Sequence, residues 1–367
     1  MAMKQKRFNN FDSLKSIAYI FIILNHVGFK YLKFGGFGVS VFLILSGFLL
    51  MNKYYDSKDM DNYSIKDSIG FAINKIKPLY LLHFFCVIVY IPTLFLGSAR
   101  DSITTVFYKV LTNVLLIQEW FPLSHSSMNE CSWYLSAIVF CYFMFPLLLN
   151  NFKKNEIKKP FLYIVIIFLF QIIIAFMASY FFTDKGAYIR YWLTYRFPLT
   201  RFLDFLIGCL LYIAYKNSKI KQSSVRYLEY GGIFLSILAF IMIILNIGNV
   251  LTSNYFFQNN NTILYTAIFT PGVCLLVYSL AFDKGILFSF LYRKPFMFIS
   301  KYGKYIFLIH YLVFDLIRIG LTIFATITLK HGVMDYLPYV NCSFGIILTF
   351  CLSKKMDDLY KYLETKF

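Results

Sequence analysis

The chain has 367 residues, of which 59% are hydrophobic, 21% aromatic and only 15% charged. A soluble globular domain has about 45–50% apolar and about 25% charged residues, so this composition excludes an ordinary soluble domain. The net charge of +18 would suggest nucleic acid as the partner of a soluble protein. Here the basic residues lie in short segments between apolar blocks, as the positive-inside rule predicts. Nucleic acid is therefore not an expected partner.

Eleven apolar blocks follow one another along the chain, and most are long enough for a helix of about 20 residues to cross a bilayer. In chain order the blocks are 14–31, 36–51, 78–97, 103–121, 132–150, 161–182, 198–215, 228–248, 262–281, 305–327 and 337–353. The seven cysteines lie mostly inside these blocks and form no C-x-x-C pair. We therefore predict no metal site, no disulfide chemistry and no permanently bound cofactor.

Charge patterning reduces the number of predicted spans to ten. Both ends of the chain are basic, so both are expected in the cytoplasm, which requires an even number of crossings. Block 103–121 carries Lys109 and Glu119 and is predicted to be an interfacial or re-entrant segment. The basic loops 52–77, 151–160, 216–227 and 282–304 then fall inside, and loop 249–261, which has no basic residue, falls outside.

The sequence thus predicts an all-α integral membrane protein with about ten transmembrane helices and cytoplasmic N- and C-termini. We expect residues 1–367 to form a single transmembrane domain, embedded in the lipid bilayer of the cell membrane as a multi-pass protein.

Ionisable residues at membrane depth are costly, so each one is a candidate functional residue. His26 is the strongest candidate, because eleven residues of helix place it about 17 Å beyond Lys15, near the middle of the bilayer. An unperturbed histidine pKa of about 6.5 suits a general base acting on a hydroxyl. The alternative is a core histidine that hydrogen-bonds to a neighbouring helix.

Other ionisable residues have structural interpretations. His83 and His310 are expected near the cytoplasmic face, a few residues inside their helices, with a structural role preferred for His83. Arg196 and Arg201 are expected to be outer-edge anchors that extend to water. Arg201 with Asp204, and Arg318 with Asp315, are spaced to pair within one helix.

Glycines are concentrated near the second block, in Gly35-Gly36-Phe37-Gly38 and in Ser46-Gly47-Phe48. Small residues at this density allow transmembrane helices to approach closely. The segment lacks the spacing of a phosphate-binding P-loop, so it predicts helix packing only.

Six short motifs occur in a fixed order along nearly the whole chain. They are Asp12-Ser13-Leu14-Lys15 with Asn25-His26; Gly38-Val39 with Phe42 and Ser46-Gly47-Phe48; Lys75-Ile76-Lys77-Pro78-Leu79-Tyr80; Trp133-Tyr134-Leu135 with Tyr142 and Pro146; Arg196 and Arg201 with Phe205 and Gly208; and Gly303-Lys304-Tyr305 with His310. Together they resemble the acyltransferase-3 family of membrane acyltransferases, which mostly modify bacterial surface glycans. The chain departs from the family pattern at Ala72 and Lys75, where the family has Arg-x-x-Arg, and at Ile138, where it often has Glu.

The resemblance implies transfer of an acyl group, usually acetyl, from cytoplasmic acyl-CoA as co-substrate to a sugar hydroxyl on the outer side. We expect His26 to take the proton of the acceptor hydroxyl as it attacks the thioester, with Lys15 and Asp12 positioning the donor. The expected acyl-CoA contacts are Lys75, Lys77, Tyr80 and Ser46. The expected acceptor contacts are Arg196, Arg201, Trp133 and His310.

No serine or cysteine lies in a nucleophile-elbow context, so direct transfer is expected rather than an acyl-enzyme. Two other functions are kept open. One is a transporter or exporter of a glycan or small polar solute on the same scaffold. The other is a non-catalytic membrane sensor or assembly factor, which would explain the weakened arginine positions.

Overall fold

The computed structural model describes residues 8–29, 34–57, 60, 63–95, 102–125, 127–182, 186–247, 267–282, 294–328 and 331–366, and these residues contain helices and turns but no strand. The α-helices are α1 (Asn9–His26), α2 (Gly35–Tyr54), α3 (Ile65–Tyr90), α4 (Ile103–Val114), α5 (Trp133–Lys154), α6 (Pro160–Phe181), α7 (Ala187–Tyr191), α8 (Pro198–Lys216), α9 (Gln222–Ile247), α10 (Thr270–Leu280), α11 (Lys294–Thr328), α12 (Leu337–Val340) and α13 (Ile346–Lys366). Short 3-10 helices occupy Ile91–Phe95, Gln118–Trp120, Glu130–Ser132 and His331–Tyr336, and π-turns occupy Trp192–Arg196 and Asn341–Gly345.

Eight helical segments of the described chain are long and apolar enough to cross a membrane. They are Gly35–Tyr54, Ile65–Phe95, Glu130–Lys154, Pro160–Phe181, Ala187–Lys216, Ser223–Leu245, Phe296–Thr328 and Gly332–Tyr362. The other two predicted spans correspond to α1 and to the 11-residue α10. The all-α membrane architecture is confirmed, whereas the count of ten and the cytoplasmic termini stay predictions. Loop 249–261 lies outside the described residues.

The third helix begins much earlier than block 78–97 predicted. Ser64 and Asp67 form a capping box, in which each side chain binds the other residue's backbone N–H, and this starts α3 at Ile65. Residues 65–77 are therefore helical rather than part of a cytoplasmic loop, and Pro78 lies inside the helix.

The ends of two other helices also differ from the prediction. Helix α1 ends at His26, five residues before the end of block 14–31, and Gly28 adopts a positive φ of 108°, a conformation common just after a helix end. Helix α11 begins at Lys294, not at residue 305. His310 therefore lies near the middle of a 35-residue helix, and its expected position near a helix end was wrong.

Segment 103–121 folds as α4 followed by a turn, and α4 has only 12 residues. At 1.5 Å per residue it extends about 18 Å, which is too short for a hydrocarbon core of about 30 Å. Ile103, Phe107 and Leu111 repeat every four residues on an exposed face. This amphipathic pattern is typical of a helix lying in a membrane interface.

The centre of the molecule depends on close contact between α2 and α8. A Cβ atom built on Gly47 would lie 2.1 Å from the carbonyl oxygen of Phe205, and one built on Gly208 would lie 2.0 Å from that of Ile44. No larger residue fits either position without moving the backbone. The predicted role of the glycine-rich segment in helix packing is confirmed. Helix α1 packs against α2 and α11, which places its C-terminal end beside the middle of α11.

Candidate active site

Two imidazoles face each other where α1 ends. Nδ1 of His26 lies 3.1 Å from Nε2 of His310. Nδ1 of His310 lies 2.9 Å from the carbonyl oxygen of Ile306, which can only accept, so this nitrogen carries the hydrogen. Nε2 of His310 then accepts the N–H of His26 Nδ1. This network assigns the lone pair of neutral His26 to its Nε2, the tautomer that a general base requires.

Cys131 joins the imidazole pair from the turn before α5. Its Sγ lies 3.5 Å from Nε2 of His310, and the ligand atoms of His26, Cys131 and His310 all lie within 4.8 Å of one another. These side chains could hold a metal ion. Zinc binds nitrogen at about 2.0–2.1 Å and sulfur at about 2.3 Å, which gives tetrahedral edges of about 3.3–3.6 Å. The 3.1 and 3.5 Å separations also fit two hydrogen bonds to one acceptor, so the absence of a metal stays a prediction.

An ion pair lies on the other side of His26. The ring of Tyr311 meets His26 edge-on at 5.3 Å, and its hydroxyl donates to Oε2 of Glu130 at 2.5 Å. Oε1 of Glu130 accepts from Nη2 of Arg196. The Arg196 side chain is only 3% exposed and packs over the rings of Trp133 and Tyr191, whereas Glu130 is 35% exposed. The carboxylate is therefore accessible and held in place by buried partners.

Arg201 belongs to a different network one turn further along. Its guanidinium donates to Oδ2 of Asp204 at 2.8 Å and to the carbonyl oxygens of Tyr195 and Thr194 at 2.6 and 3.1 Å. Gln171 of α6 also donates to Asp204, at 2.9 Å. The predicted pairing of Arg201 with Asp204 is confirmed. The expectation that Arg196 and Arg201 extend to water was wrong, because both are buried.

A line of polar groups runs along α1 toward His26. At 3.6 residues per turn, Asp12, Lys15, Tyr19 and His26 lie within about 60° of one another on the helix. Lys15 Nζ donates to Oδ1 of Asp12 at 3.2 Å. Tyr19 is half-buried and packs against Phe42 with ring centroids 4.5 Å apart.

Ser46 of α2 lies in the same region. Its side chain lies close to the hydroxyls of Tyr134 and Tyr142 of α5, and all three residues are half-buried. Hydroxyl groups of α1, α2 and α5 are thus grouped together among mostly apolar side chains.

The remaining predicted donor residues separate onto two faces of α3. Lys75 lies in a cavity of about 550 Å³ with Tyr54, Tyr63 and Lys66, and its ammonium group packs over the Tyr54 ring at 5.2 Å. Lys77 and Tyr80 instead line a mostly apolar groove of about 800 Å³. The structure therefore does not bring Lys77 and Tyr80 into the cavity that holds Lys75.

Two further predicted residues have structural contacts. His83 is the nineteenth of the 26 residues of α3, so its expected position a few residues inside the helix was wrong. It is buried, and its Nε2 hydrogen-bonds to the carbonyl oxygen of Asn113 at 2.9 Å, which supports its preferred structural role. Asp315 pairs with Arg318 at 2.7 Å, as predicted, and also accepts the hydroxyl of Tyr90 at 2.8 Å. Sequence reasoning missed Cys131, Glu130 and Tyr311. Their proximity to recognised motifs was the available signal, since Cys131 precedes Trp133 by two residues and Tyr311 follows His310.

The fold and this cluster define a multi-pass membrane protein with an imidazole pair at its centre. The sequence profile of the acyltransferase-3 family, described as an acyltransferase domain, matches residues 8–354, and the chain belongs to this family. Among curated proteins it is similar to the O-acetyltransferase OatA of Staphylococcus aureus strains NCTC 8325 / PS 47, COL and N315. The identity to each is 26% over 383 residues, covering 96% of this chain.

This chain spans 56% of the length of these relatives. No solved structure matches it.

Proposed function

We propose that this protein is a membrane O-acyltransferase that moves an acetyl group from acetyl-CoA, bound from the cytoplasmic side, to a hydroxyl of a glycan on the outer side. The observation that carries the proposal is the hydrogen bond between His26 and His310, which fixes His26 in the tautomer of a general base. Family membership and the similarity to OatA, named as an O-acetyltransferase, support the same chemistry.

The donor end is proposed to be the cavity around Lys75. Coenzyme A carries an adenine and several phosphates, which suit the rings of Tyr54 and Tyr63 and the ammonium groups of Lys66 and Lys75. Lys15, near the start of the polar line on α1, would contact the part of acetyl-CoA that carries the thioester. Tyr19 and Ser46 offer hydroxyls along the way to His26.

The acceptor is proposed to bind at Glu130 and Arg196. Glu130 is accessible and can accept hydrogen bonds from sugar hydroxyls, while Trp133 and Tyr191 offer aromatic faces to a sugar ring. Arg201 is proposed to hold α8 in position rather than touch the acceptor, because its donors already bind Asp204 and two carbonyl oxygens.

In the reaction, Nε2 of His26 takes the proton of the acceptor hydroxyl as the oxygen attacks the thioester carbonyl. His310 orients the imidazole and shares the positive charge that develops on it. General acid–base catalysis of this kind typically contributes about 10²–10⁴-fold to the rate.

The test is His26→Gln in proteoliposomes supplied with radiolabelled acetyl-CoA and an amino-sugar oligosaccharide, with base-labile acetyl ester as the product measured. We expect a rate loss of about 10²–10⁴-fold with normal expression. His83→Gln is the matched control, since glutamine can still donate to the Asn113 carbonyl oxygen. Undiminished transfer by His26→Gln would refute the assignment. Solute flux independent of acetyl-CoA would favour the transporter alternative.

A further inference from the structure

The contacts of Cys131 form the pattern of an activated nucleophile. Such a site has a thiol within hydrogen-bond reach of a base, and the base is oriented by a third group. Here Sγ of Cys131 lies 3.5 Å from Nε2 of His310, and Nδ1 of His310 lies 2.9 Å from the carbonyl oxygen of Ile306. The lone pair of His310 Nε2 is therefore an acceptor that the thiol shares with Nδ1–H of His26. Nδ1–H of His26 donates to the same nitrogen at 3.1 Å, so His310 releases this second hydrogen bond when it takes the thiol proton.

The turn before α5 is built to hold Cys131 at this position. Met128 adopts a φ of 62°, in the left-handed region where a side chain is strained. Such strain persists only where surrounding contacts maintain it, and it is concentrated at functional sites. The Asn129 side chain supplies those contacts: its oxygen accepts from the Cys131 N–H at 3.2 Å, and its nitrogen donates to the Leu308 carbonyl oxygen at 2.9 Å. Asn129 thus joins the turn before α5 to helix α11 at Leu308, two residues before His310.

The thiol also lies within 4.8 Å of the His26 ring and next in sequence to Glu130 of the proposed acceptor site. Cys131 itself is buried, but Glu130, the preceding residue, is 35% exposed on the acceptor side. His26, which ends the polar line on the donor side, is half-buried. An acyl group attached to Sγ would therefore remain beside His26 after coenzyme A has left.

We propose that Cys131 carries the acyl group as a thioester between donor and acceptor, a step that rests on the proposed acyltransferase function. In the first half-reaction the thiol proton moves to Nε2 of His310 and the sulfur attacks the acyl-CoA carbonyl carbon. The bond from that carbon to the coenzyme A sulfur breaks, and this sulfur takes the proton from His310 and leaves as the free thiol.

In the second half-reaction His26 takes the proton of the acceptor hydroxyl, and the oxygen attacks the acyl-Cys131 carbonyl carbon. The bond from that carbon to Sγ breaks, and the histidine pair returns the proton to the thiolate. No oxidant or reductant is consumed. This two-step route replaces the direct transfer expected from the sequence. It allows the donor to leave before the acceptor is used.

The deciding experiment is isotope exchange between acetyl-CoA and radiolabelled coenzyme A, with full-length protein in proteoliposomes and no acceptor. An acyl-enzyme catalyses this exchange and direct transfer does not. We expect exchange by the wild type and a loss of about 100-fold or more in Cys131→Ser. Cys141→Ser is the matched control, because Cys141 is also buried but lies within α5, ten residues further along the chain. It should retain exchange.

A second measurement is independent of folding in the variant. Wild-type protein treated with acetyl-CoA alone should carry one hydroxylamine-sensitive acetyl group on the peptide that contains Cys131, as seen by mass spectrometry. Full transfer to glycan without exchange or labelling would overturn the acyl-cysteine while leaving the proposed function intact. Loss of all transfer by the wild type would instead refute the proposed function. Stoichiometric zinc that is lost in Cys131→Ser would make the thiolate a metal ligand and overturn the proposal.

Discussion

Nδ1 of His26 and Nε2 of His310 lie 3.1 Å apart although 284 positions separate them in the sequence. The contact joins the last residue of α1 to the middle of α11, and Ile306 fixes the direction of its hydrogen bond. His310 thereby holds the His26 ring in position, as the buried partner of a catalytic histidine does in hydrolase triads.

Substitutions of His310 should separate this orienting role from simple packing. His310→Gln keeps an oxygen that can accept from His26, and we expect it to retain more acetyl transfer than His310→Phe. His310→Phe should lower kcat by about 10²-fold or more and change the KM for acetyl-CoA little. Steady-state kinetics on both variants provide the measurement. Equal activity of the two variants would contradict an orienting hydrogen bond.

Arg196 should affect the acceptor more than the donor. Arg196→Lys keeps the charge but loses the planar fork that holds Glu130, so the carboxylate is less well oriented. We expect the KM for the glycan acceptor to rise while the KM for acetyl-CoA stays nearly constant. Arg190→Lys is the control, since Arg190 donates to the Phe182 carbonyl oxygen. A matching rise in the KM for acetyl-CoA would place Arg196 at the donor.

Two Asp–Arg pairs with the same spacing should differ strongly in their effect on stability. Asp204→Asn leaves the fully buried Arg201 without a charged partner, and breaking a buried pair costs about 3–5 kcal/mol. Arg318→Gln removes a guanidinium that is 55% exposed, and exposed pairs contribute about 0–1 kcal/mol. Thermal unfolding in detergent, followed by size-exclusion chromatography, compares the variants. A loss of stability in Asp204→Asn as small as that in Arg318→Gln would show that the Asp204 network is not structural.

Gly47 and Gly208 should tolerate no side chain. A methyl group at either position would overlap a backbone carbonyl oxygen of the facing helix, so Gly47→Ala should lower the unfolding temperature in detergent. Gly320→Ala is the control, because nothing lies within 4 Å of a Cβ atom there and alanine favours a helix by about 1 kcal/mol. An unchanged unfolding temperature for Gly47→Ala would mean that α2 and α8 separate easily.

Much of the fold could be predicted because a membrane span depends on local composition. A run of about 20 apolar residues can cross a bilayer only as a helix, since its backbone groups must bond within the segment. Helix ends were less predictable. The start of α3 depends on the capping box at Ser64 and Asp67, and the end of α1 is set near Gly28, so the apolar blocks misplaced both.

The sequence by itself determined the helical membrane architecture, the family motifs and the candidacy of His26, because each depends on residues close together in the chain. It could not determine which polar residues from distant segments meet. His310 was expected near a helix end, and Cys131 and Glu130 received no role. Only the packing of α1, α5 and α11 decided that His26, Cys131 and His310 share one site. Contacts between distant segments depend on how whole helices pack, and local sequence patterns do not specify that packing.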